Sequence, residues 1–560
     1  MKDKREFLNV LRSIHGLPAS EYARLVGDYD FARFVIHVRR APTATPRGAH
    51  GVFIVHVPQI ISGFPPSLIS TPMRRTALED YLLRRLEEAA ERRGLSGGGG
   101  NATLALPPVG PEVLPRSIVL AAPDYVEARL SIRLPLREGM VDADCAERIF
   151  FHDLPVIVNE SLIHCYLDTE DVARFVNLME DAEHARRQLV RRGLVGFIGE
   201  GARPAPAAPP LQLSGTGLTN LDVPNAGVVR GMGVPTGVTL IIGDPYSGRQ
   251  ALLAALGAGV YNHVPGDGRE WILAIPDLVR VDTDPGRAVQ QVDLSLFLPA
   301  ASGRDTRRFT TDRATPAESQ MAGVMEALQV GAQALLLDES ACDPAFLAGD
   351  ARLGGLRAEP STAFLSLSAR AREIANDYRV SLIIGAYAHA QPLLGVADTV
   401  WLIENGRITD VTPDARKLDR PVEPRAMTPP LPSTTEKTRW IIPPSLDPSY
   451  GVEDAVIHAE GARVLRFGRH LLDLSGVPQL ADIGQTIAIG LLLYHARLRH
   501  LDEPRPVAEV MDLLDADLLN EGLDMLSKDL RGDLARPRRY EIAAALNRLG
   551  SLRILPEPPV

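Results

Sequence analysis

Apolar positions follow two different rules on either side of a proline-rich stretch. Before it, alternation at Phe34–Val38 and Phe53–Val57 predicts two half-buried strands, and Ser117–Ala122 with Ala128–Leu134 predicts a second pair. Leu78, Leu82, Leu83 and Leu86 stand at helical spacing, so a helix with one packed face is expected from Arg75 to Arg93. The run Gly94-Leu-Ser-Gly-Gly-Gly-Gly-Asn101 follows as a flexible connection, and a helix-rich stretch extends from Cys145 to Gly193. Gly201-Ala-Arg-Pro-Ala-Pro-Ala-Ala-Pro-Pro210 is too dense in proline for helix or ladder and reads as a linker.

Beyond that linker the apolar residues come in short unbroken runs, Val238–Ile242, Trp271–Ile275, Ala334–Leu337 and Leu382–Gly385, separated by helical patterns. Strands buried on both faces have this signature, so a largely parallel α/β sheet is expected. A second proline-rich segment, Asp414 to Tyr450, closes the region, and the remainder from Val452 mixes short strands with helices. The expected organisation is an N-terminal α+β domain over 1–200, a linker over 201–216, and a central α/β domain over 217–413. A second linker over 414–450 then leads to a smaller α/β or mostly helical C-terminal domain over 451–560.

Composition narrows the class without naming the chemistry. With 560 residues, 45% hydrophobic and 23% charged, the chain has room for several cores and the balance of a soluble globular protein. The best candidate for a membrane span, Ile487 to Tyr494, falls far short of the roughly 20 residues required, so no membrane domain is expected. The N-terminus, Met-Lys-Asp-Lys-Arg-Glu6, lacks the apolar core of a signal peptide. Cys145, Cys165 and Cys342 form neither a disulfide framework nor a CxxC knuckle, and a cytoplasmic location is expected. A net charge of −10 weighs against a surface coated in nucleic acid, although a local basic groove can coexist with it.

Candidate chemistry starts at Val238–Leu256, an apolar strand, a glycine-bounded loop and an Ala/Leu helix, with Gly243 and Gly248 at the spacing of the phosphate loop G-x-x-x-x-G-K-[ST]. The residues expected to face a phosphate are Gly243, Asp244, Pro245, Tyr246, Ser247, Gly248, Arg249 and Gln250. Downstream, Ala334-Leu-Leu-Leu-Asp338-Glu339 is an apolar strand ending in two acids. In that arrangement Asp338 holds Mg²⁺ and Glu339 polarises an attacking water. Thr315-Pro-Ala-Glu318 opens a helix by a capping box, and Met321, Val324, Met325 and Leu328 mark its packed face.

These motifs, with Gly27-Asp-Tyr-Asp-Phe31, Arg74-Arg75-Thr-Ala-Leu-Glu-Asp80, Gly231-Met-Gly-Val-Pro235, Gly259-Val-Tyr-Asn-His-Val-Pro-Gly-Asp-Gly-Arg-Glu270, Asp305-Thr-Arg-Arg-Phe309 and Leu534-Ala-Arg-Pro-Arg-Arg539, resemble the soluble predicted ATPases of the ABC class nearly end to end. The resemblance implies a P-loop nucleotide-binding cassette flanked by N- and C-terminal domains, ATP or ADP with Mg²⁺ as ligands, and head-to-tail homodimers. In such dimers one subunit's signature helix closes over the other's phosphate loop. It also places His389, ahead of Ala397-Asp398-Thr-Val-Trp-Leu-Ile-Glu-Asn-Gly406, near the histidine that senses the γ-phosphate.

Three motifs depart from that pattern. Where the family's loop carries His-Gly-Lys-Ser-Thr, this chain has Ser247-Gly-Arg249-Gln-Ala251. A guanidinium is longer and flatter than the lysine ammonium, and the carboxamide of Gln250 is a weak and distant substitute for the hydroxyl ligand of Mg²⁺. The signature Ser-Gly-Ser-Thr is replaced by Thr315-Pro-Ala-Glu318, and Asp-Thr-Ser-Ala-Thr after the acidic pair by Ser340-Ala-Cys-Asp-Pro344. The expected function is a soluble, nucleotide-dependent switch that binds ATP or ADP at a P-loop-like site with hydrolysis weak or lost, the altered motifs weakening the case for both nucleotide and Mg²⁺. Two alternatives remain open. One is an RNA-binding module built on the pairs Arg74-Arg75, Arg84-Arg85, Arg186-Arg187, Arg191-Arg192, Arg307-Arg308 and Arg538-Arg539, with Tyr540 stacking on a base. The other is a pseudo-ATPase scaffold that binds no ligand.

Overall fold

The computed structural model describes residues 1–45, 48–96, 103–299, 303–349, 364–418, 439–453 and 455–555. Two compact units form, one from Met1–Glu180, Asp482–Ala488 and Glu521–Arg536, the other from Asp181–Ala481, Ile489–Asn520 and Pro537–Val560.

The first unit is built on an antiparallel pair, Gly48–Pro58 against Tyr125–Leu134, in register from Ala49 opposite Leu134 to Pro58 opposite Tyr125. Inward residues such as Phe53, Val55, Ala128 and Leu130 are buried, which is why alternation found these strands. Val119–Ala121 joins Tyr125–Leu134, as expected of the second pair. The predicted helix runs from Pro72 to Arg92 and starts ahead of the expected Arg75, because Thr71 accepts from the Arg74 amide and Pro72 suits the first turn. It packs against Leu154–Leu162. Asp80 is buried with Arg84 at 2.7 Å and with Arg116, which in turn pairs with Asp482. A buried charge cluster of this kind is tolerable only because each member has an opposite partner. Of the glycine run expected to connect, 97–101 lies outside the described residues.

The second unit holds a seven-stranded sheet in the order Gln212–Ser214, Arg407–Asp410, Thr399–Glu404, Val238–Ile242, Ser381–Ala386, Ala334–Asp338, Leu278–Arg280. Every neighbouring pair is parallel except Thr399–Glu404 with Arg407–Asp410. Val238–Ile242 is thus central, buried on both faces by side chains such as Leu240 and Ile241. One expected member lies elsewhere: Ile272–Ala274 pairs antiparallel with Leu194–Gly199, in a four-stranded sheet with Gly227–Pro235 and Leu218–Val223. An unbroken apolar run signals double burial but does not say in which sheet, and the parallel edge is taken instead by Leu278–Arg280.

The divisions also differ from the proline-based expectation. The units part at 180/181, ahead of the expected boundary at 200, because Leu194–Gly199 belongs to the second unit's antiparallel sheet. In the second proline-rich segment, Thr412–Leu418 is helical and Trp440–Ile441 pairs with Arg505–Pro506 and Ile554–Leu555, while 419–438 lies outside the described residues. Residues after 451 contribute to both units. Among the described residues no helix is long and apolar enough to cross a membrane.

Candidate functional site

The strand Val238–Ile242 delivers the chain to the loop Gly243–Gly248, and the helix Arg249–Ala258 leaves it. Gly248 caps that helix at φ +93°, a backbone region that residues with a Cβ rarely enter. The strand–loop–helix geometry of a phosphate site is therefore present. Three of its amides, however, are bonded within the loop itself. The Tyr246 amide donates to Asp244 Oδ1 at 2.8 Å, the Ser247 amide to the Asp244 carbonyl at 3.2 Å, and the Arg249 amide to Ser247 Oγ at 3.3 Å. Pro245 has no N–H to offer, and Asp244 adds an exposed carboxylate where phosphate charge would lie. Both obstacles lie ahead of Ser247–Ala251, the stretch in which the loop's sequence departs from the family's.

Arg249 carries the most informative contact of the site. Its Nη1 donates to the Gly243 carbonyl at 2.7 Å and its Nη2 lies 3.3 Å from Asp338 Oδ1. Both side chains are buried, at 4% and 2% exposure, so this ion pair is not screened by water as a surface pair would be. On the neighbouring strand Gly385 has no space for a side chain: a Cβ there would stand 2.1 Å from Leu253 Cδ1 and 3.2 Å from Asp338 Oδ1. Asp338 Oδ2 accepts from Ser340 Oγ at 2.7 Å. Arg249 Nε is buried without a hydrogen-bond partner.

Of the donors expected for Mg²⁺, Asp338 already faces a guanidinium and a hydroxyl, and Gln250 is exposed on the opposite side of the burial pattern from Arg249. A hard cation needs several oxygen ligands around it. The residues present fit the ion poorly: the one buried carboxylate is already paired with a guanidinium and a hydroxyl, and among the described residues no cluster of three or more acidic, histidine or cysteine ligands includes Asp338.

Glu339 and His389 do come together. His389 Nδ1 is 2.7 Å from Glu339 Oε1, and the Tyr387 amide donates to Oε2. Burial pushes the Glu339 carboxyl upward, but the bonds from Tyr387 and His389 outweigh it and hold the group below the usual carboxylate range. The signature position is equally committed to its own helix. Thr315 Oγ1 accepts from the Glu318 amide at 3.3 Å, Glu318 Oε2 accepts from the Thr315 amide at 2.9 Å, and Arg304 pairs with Glu318. The capping box read from the sequence is present, and it uses up donors at the helix start. Burial raises the Glu318 carboxyl, yet the Thr315 amide and Arg304 together bring it below its ordinary value, so it stays anionic.

Several of the paired arginines take carboxylates within their own units. Arg74 meets Glu180, Arg84 meets Asp80 and Arg85 meets Glu88 in the first. Arg186 and Arg187 share Glu183, Arg538 meets Glu541 and Arg539 meets Asp512 in the second. Tyr540, expected as a stacking platform, is 6% exposed and donates its hydroxyl to Asp277 at 2.7 Å. A ring held in this way presents no face to a base, which corrects that part of the nucleic-acid reading.

Three family models match the chain in order: the ATPase of the ABC class N-terminal over residues 4–165, the ABC ATPase P-loop domain over 168–437 and the MRB1590 C-terminal domain over 456–555. No curated protein matches. Among solved structures, cbiO1 from Clostridium perfringens, part of the ABC transporter complex cbiONQ, is 14% identical with a TM-score of 0.25, covering 40% of this chain and 92% of its own. The ADP conformation of MJ1267, an ATP-binding cassette of an ABC transporter, is 11% identical with a TM-score of 0.26, covering 40% of this chain and 94% of its own. With the P-loop and N-terminal models matched in succession, the chain belongs to the ATPases of the ABC class.

Proposed function

We propose that this protein is a nucleotide-responsive switch of the ABC class that works without Mg²⁺ and has lost efficient hydrolysis. The observation that carries this reading is the buried bridge from Arg249 to the Gly243 carbonyl and Asp338. In the resting state the guanidinium neutralises Asp338 and holds the loop closed. A nucleotide phosphate offers the same guanidinium a planar pair of oxygens, a geometry that arginine matches well, and the partnerless Nε–H supplies a further donor. Exchange of Arg249 between Asp338 and phosphate is then the switch. It opens the internally bonded amides of Tyr246 and Ser247 at the same time.

Hydrolysis is disfavoured from three directions. The charge normally supplied by lysine and metal is reduced to one arginine. Glu339, held below the usual carboxylate range, is a weak base at neutral pH. In a head-to-tail homodimer Glu318 would face the other subunit's phosphates and repel them. Since one missing electrostatic donor already costs about 10²–10³ in rate, the combination removes several powers of ten. Turnover of ATP measured with the purified full chain tests this: no Glu339-dependent release of phosphate is expected. Turnover above about 1 s⁻¹ that Glu339→Gln abolishes would overturn it. A chain that binds neither ATP nor ADP would instead support the scaffold reading.

A further inference from the structure

The C-terminal part of the second unit holds a cluster unrelated to the phosphate loop. The helix Ile483–Arg499 carries His495 and is followed at once by His500, and the helix Val507–Asn520 carries Asp517. His495 Nε2 lies 2.9 Å from Asp517 Oδ2, and His500 Nε2 lies 2.6 Å from the same oxygen. The rings meet edge to face, with centroids 5.9 Å apart at 71°. All three side chains are sheltered, at 13%, 12% and 13% exposure, yet still reached by water.

A tie between two helices needs one histidine on one carboxylate. Here two imidazole nitrogens converge on a single oxygen, and each candidate ligand atom lies within 4.8 Å of the other two. We propose that His495, His500 and Asp517 form a binding site for a zinc-class divalent metal ion, with water as the fourth ligand. The donor set, two imidazoles and a carboxylate, is one that late first-row ions take, whereas Mg²⁺ and Ca²⁺ favour oxygen-only shells. The scale also fits. Bonds of about 2.0–2.2 Å in a tetrahedral shell put neighbouring donors about 3.3 Å apart. The two imidazole-to-carboxylate separations, 2.9 and 2.6 Å, reach that value with outward shifts of well under about 1 Å, within the range of side-chain rotation.

Without the ion, each imidazole donates its Nε2 proton to Asp517. Coordination needs the ring proton on Nδ1, so that the Nε2 lone pair can face the ion. Leu492, Ala496, Val510, Leu514 and Leu518, all buried along the same two helices, hold the backbone positions of the ligands. Such support is what a metal site needs to keep its geometry.

The test uses full-length protein freed of metal by chelator and titrated with Zn²⁺ by calorimetry and with Co²⁺ by visible absorption. One equivalent is expected, with cobalt bands of a tetrahedral nitrogen and oxygen shell and a raised unfolding temperature in Zn²⁺. His495→Gln and His500→Gln should each weaken binding by about tenfold or more, and the double variant should abolish it. His15→Gln, at an exposed cluster with Asp142 and Asp144, should change nothing. X-ray absorption of the wild-type zinc complex gives an independent reading that needs no variant: two imidazoles and no sulfur are expected. Sulfur in the shell, binding unchanged in the double variant, or no binding by the wild type would each overturn the proposal.

Discussion

Replacing Arg249 by Met keeps the reach of the side chain and removes its charge. Asp338 then stays buried at 2% exposure with Ser340 as its remaining partner, and the Gly243 carbonyl loses its donor. Breaking a buried pair from one side costs about 3–5 kcal/mol, because the surviving charge has no solvent to turn to. At about 2 °C per kcal/mol for a unit of this size, the thermal transition of the second unit should fall by about 6–10 °C. Adding Asp338→Leu removes the orphaned charge and should restore most of the loss, since apolar replacement of a whole buried pair is often neutral or stabilising. Scanning calorimetry of wild type, both single variants and the double variant gives the coupling directly. Arg313→Met, at an exposed position, serves as the control and should stay within about 0.5 kcal/mol of wild type. If Arg249→Met shifts the transition no more than that control, or if the double variant is as unstable as the sum of the singles, the bridge does not hold the loop.

The signature helix offers a second test: Thr315→Ala should cost about 1 kcal/mol through loss of the cap. Glu318 titrates below its ordinary value when folded, so its stabilising effect is present above the ordinary carboxylate range and fades as pH falls through the folded value. Thermal midpoints of wild type and Glu318→Gln should therefore converge in acid and separate toward neutral pH. Restoring Arg249→Lys, Gln250→Ser and Pro316→Gly together should raise ATP turnover by about 10²-fold or more; no gain would mean that Asp244 and Glu318 alone suffice to block the reaction. Tyr540→Phe should cost about 1 kcal/mol by removing the hydroxyl's bond to the half-buried Asp277, while RNA binding in a gel-shift assay stays at the wild-type level.

Local features were legible in the sequence where their cause is local. The capping box at Thr315 and Glu318 is one, since both partners lie within a single turn. Val238–Ile242, Ala334–Asp338 and Ser381–Ala386 are others, because central strands buried on both faces have unbroken apolar runs. Trp271–Ile275 has the same signature and belongs to a different sheet, as apolar content measures burial and not strand neighbours. Proline density marked where helices and ladders are absent between Gly199 and Gln212, but it did not mark where the compact units part. Inside the site, the sequence identified Arg249 as a charge of altered shape. That it turns to Asp338 depends on two strands and a loop meeting in space, and no spacing encodes that. His495, His500 and Asp517 likewise match no motif, because their convergence depends on how two helices are rotated about their axes.

In the proposed switch Arg249 stands in for both lysine and metal, a role that titration of the full chain with ATP puts to the test. Calorimetry with excess Mg²⁺ and with chelator should give the same affinity to within about threefold, a difference under 1 kcal/mol, and Arg249→Met should abolish binding in both. ATP binding that appears only with Mg²⁺, or that persists when Arg249 is gone, would contradict it.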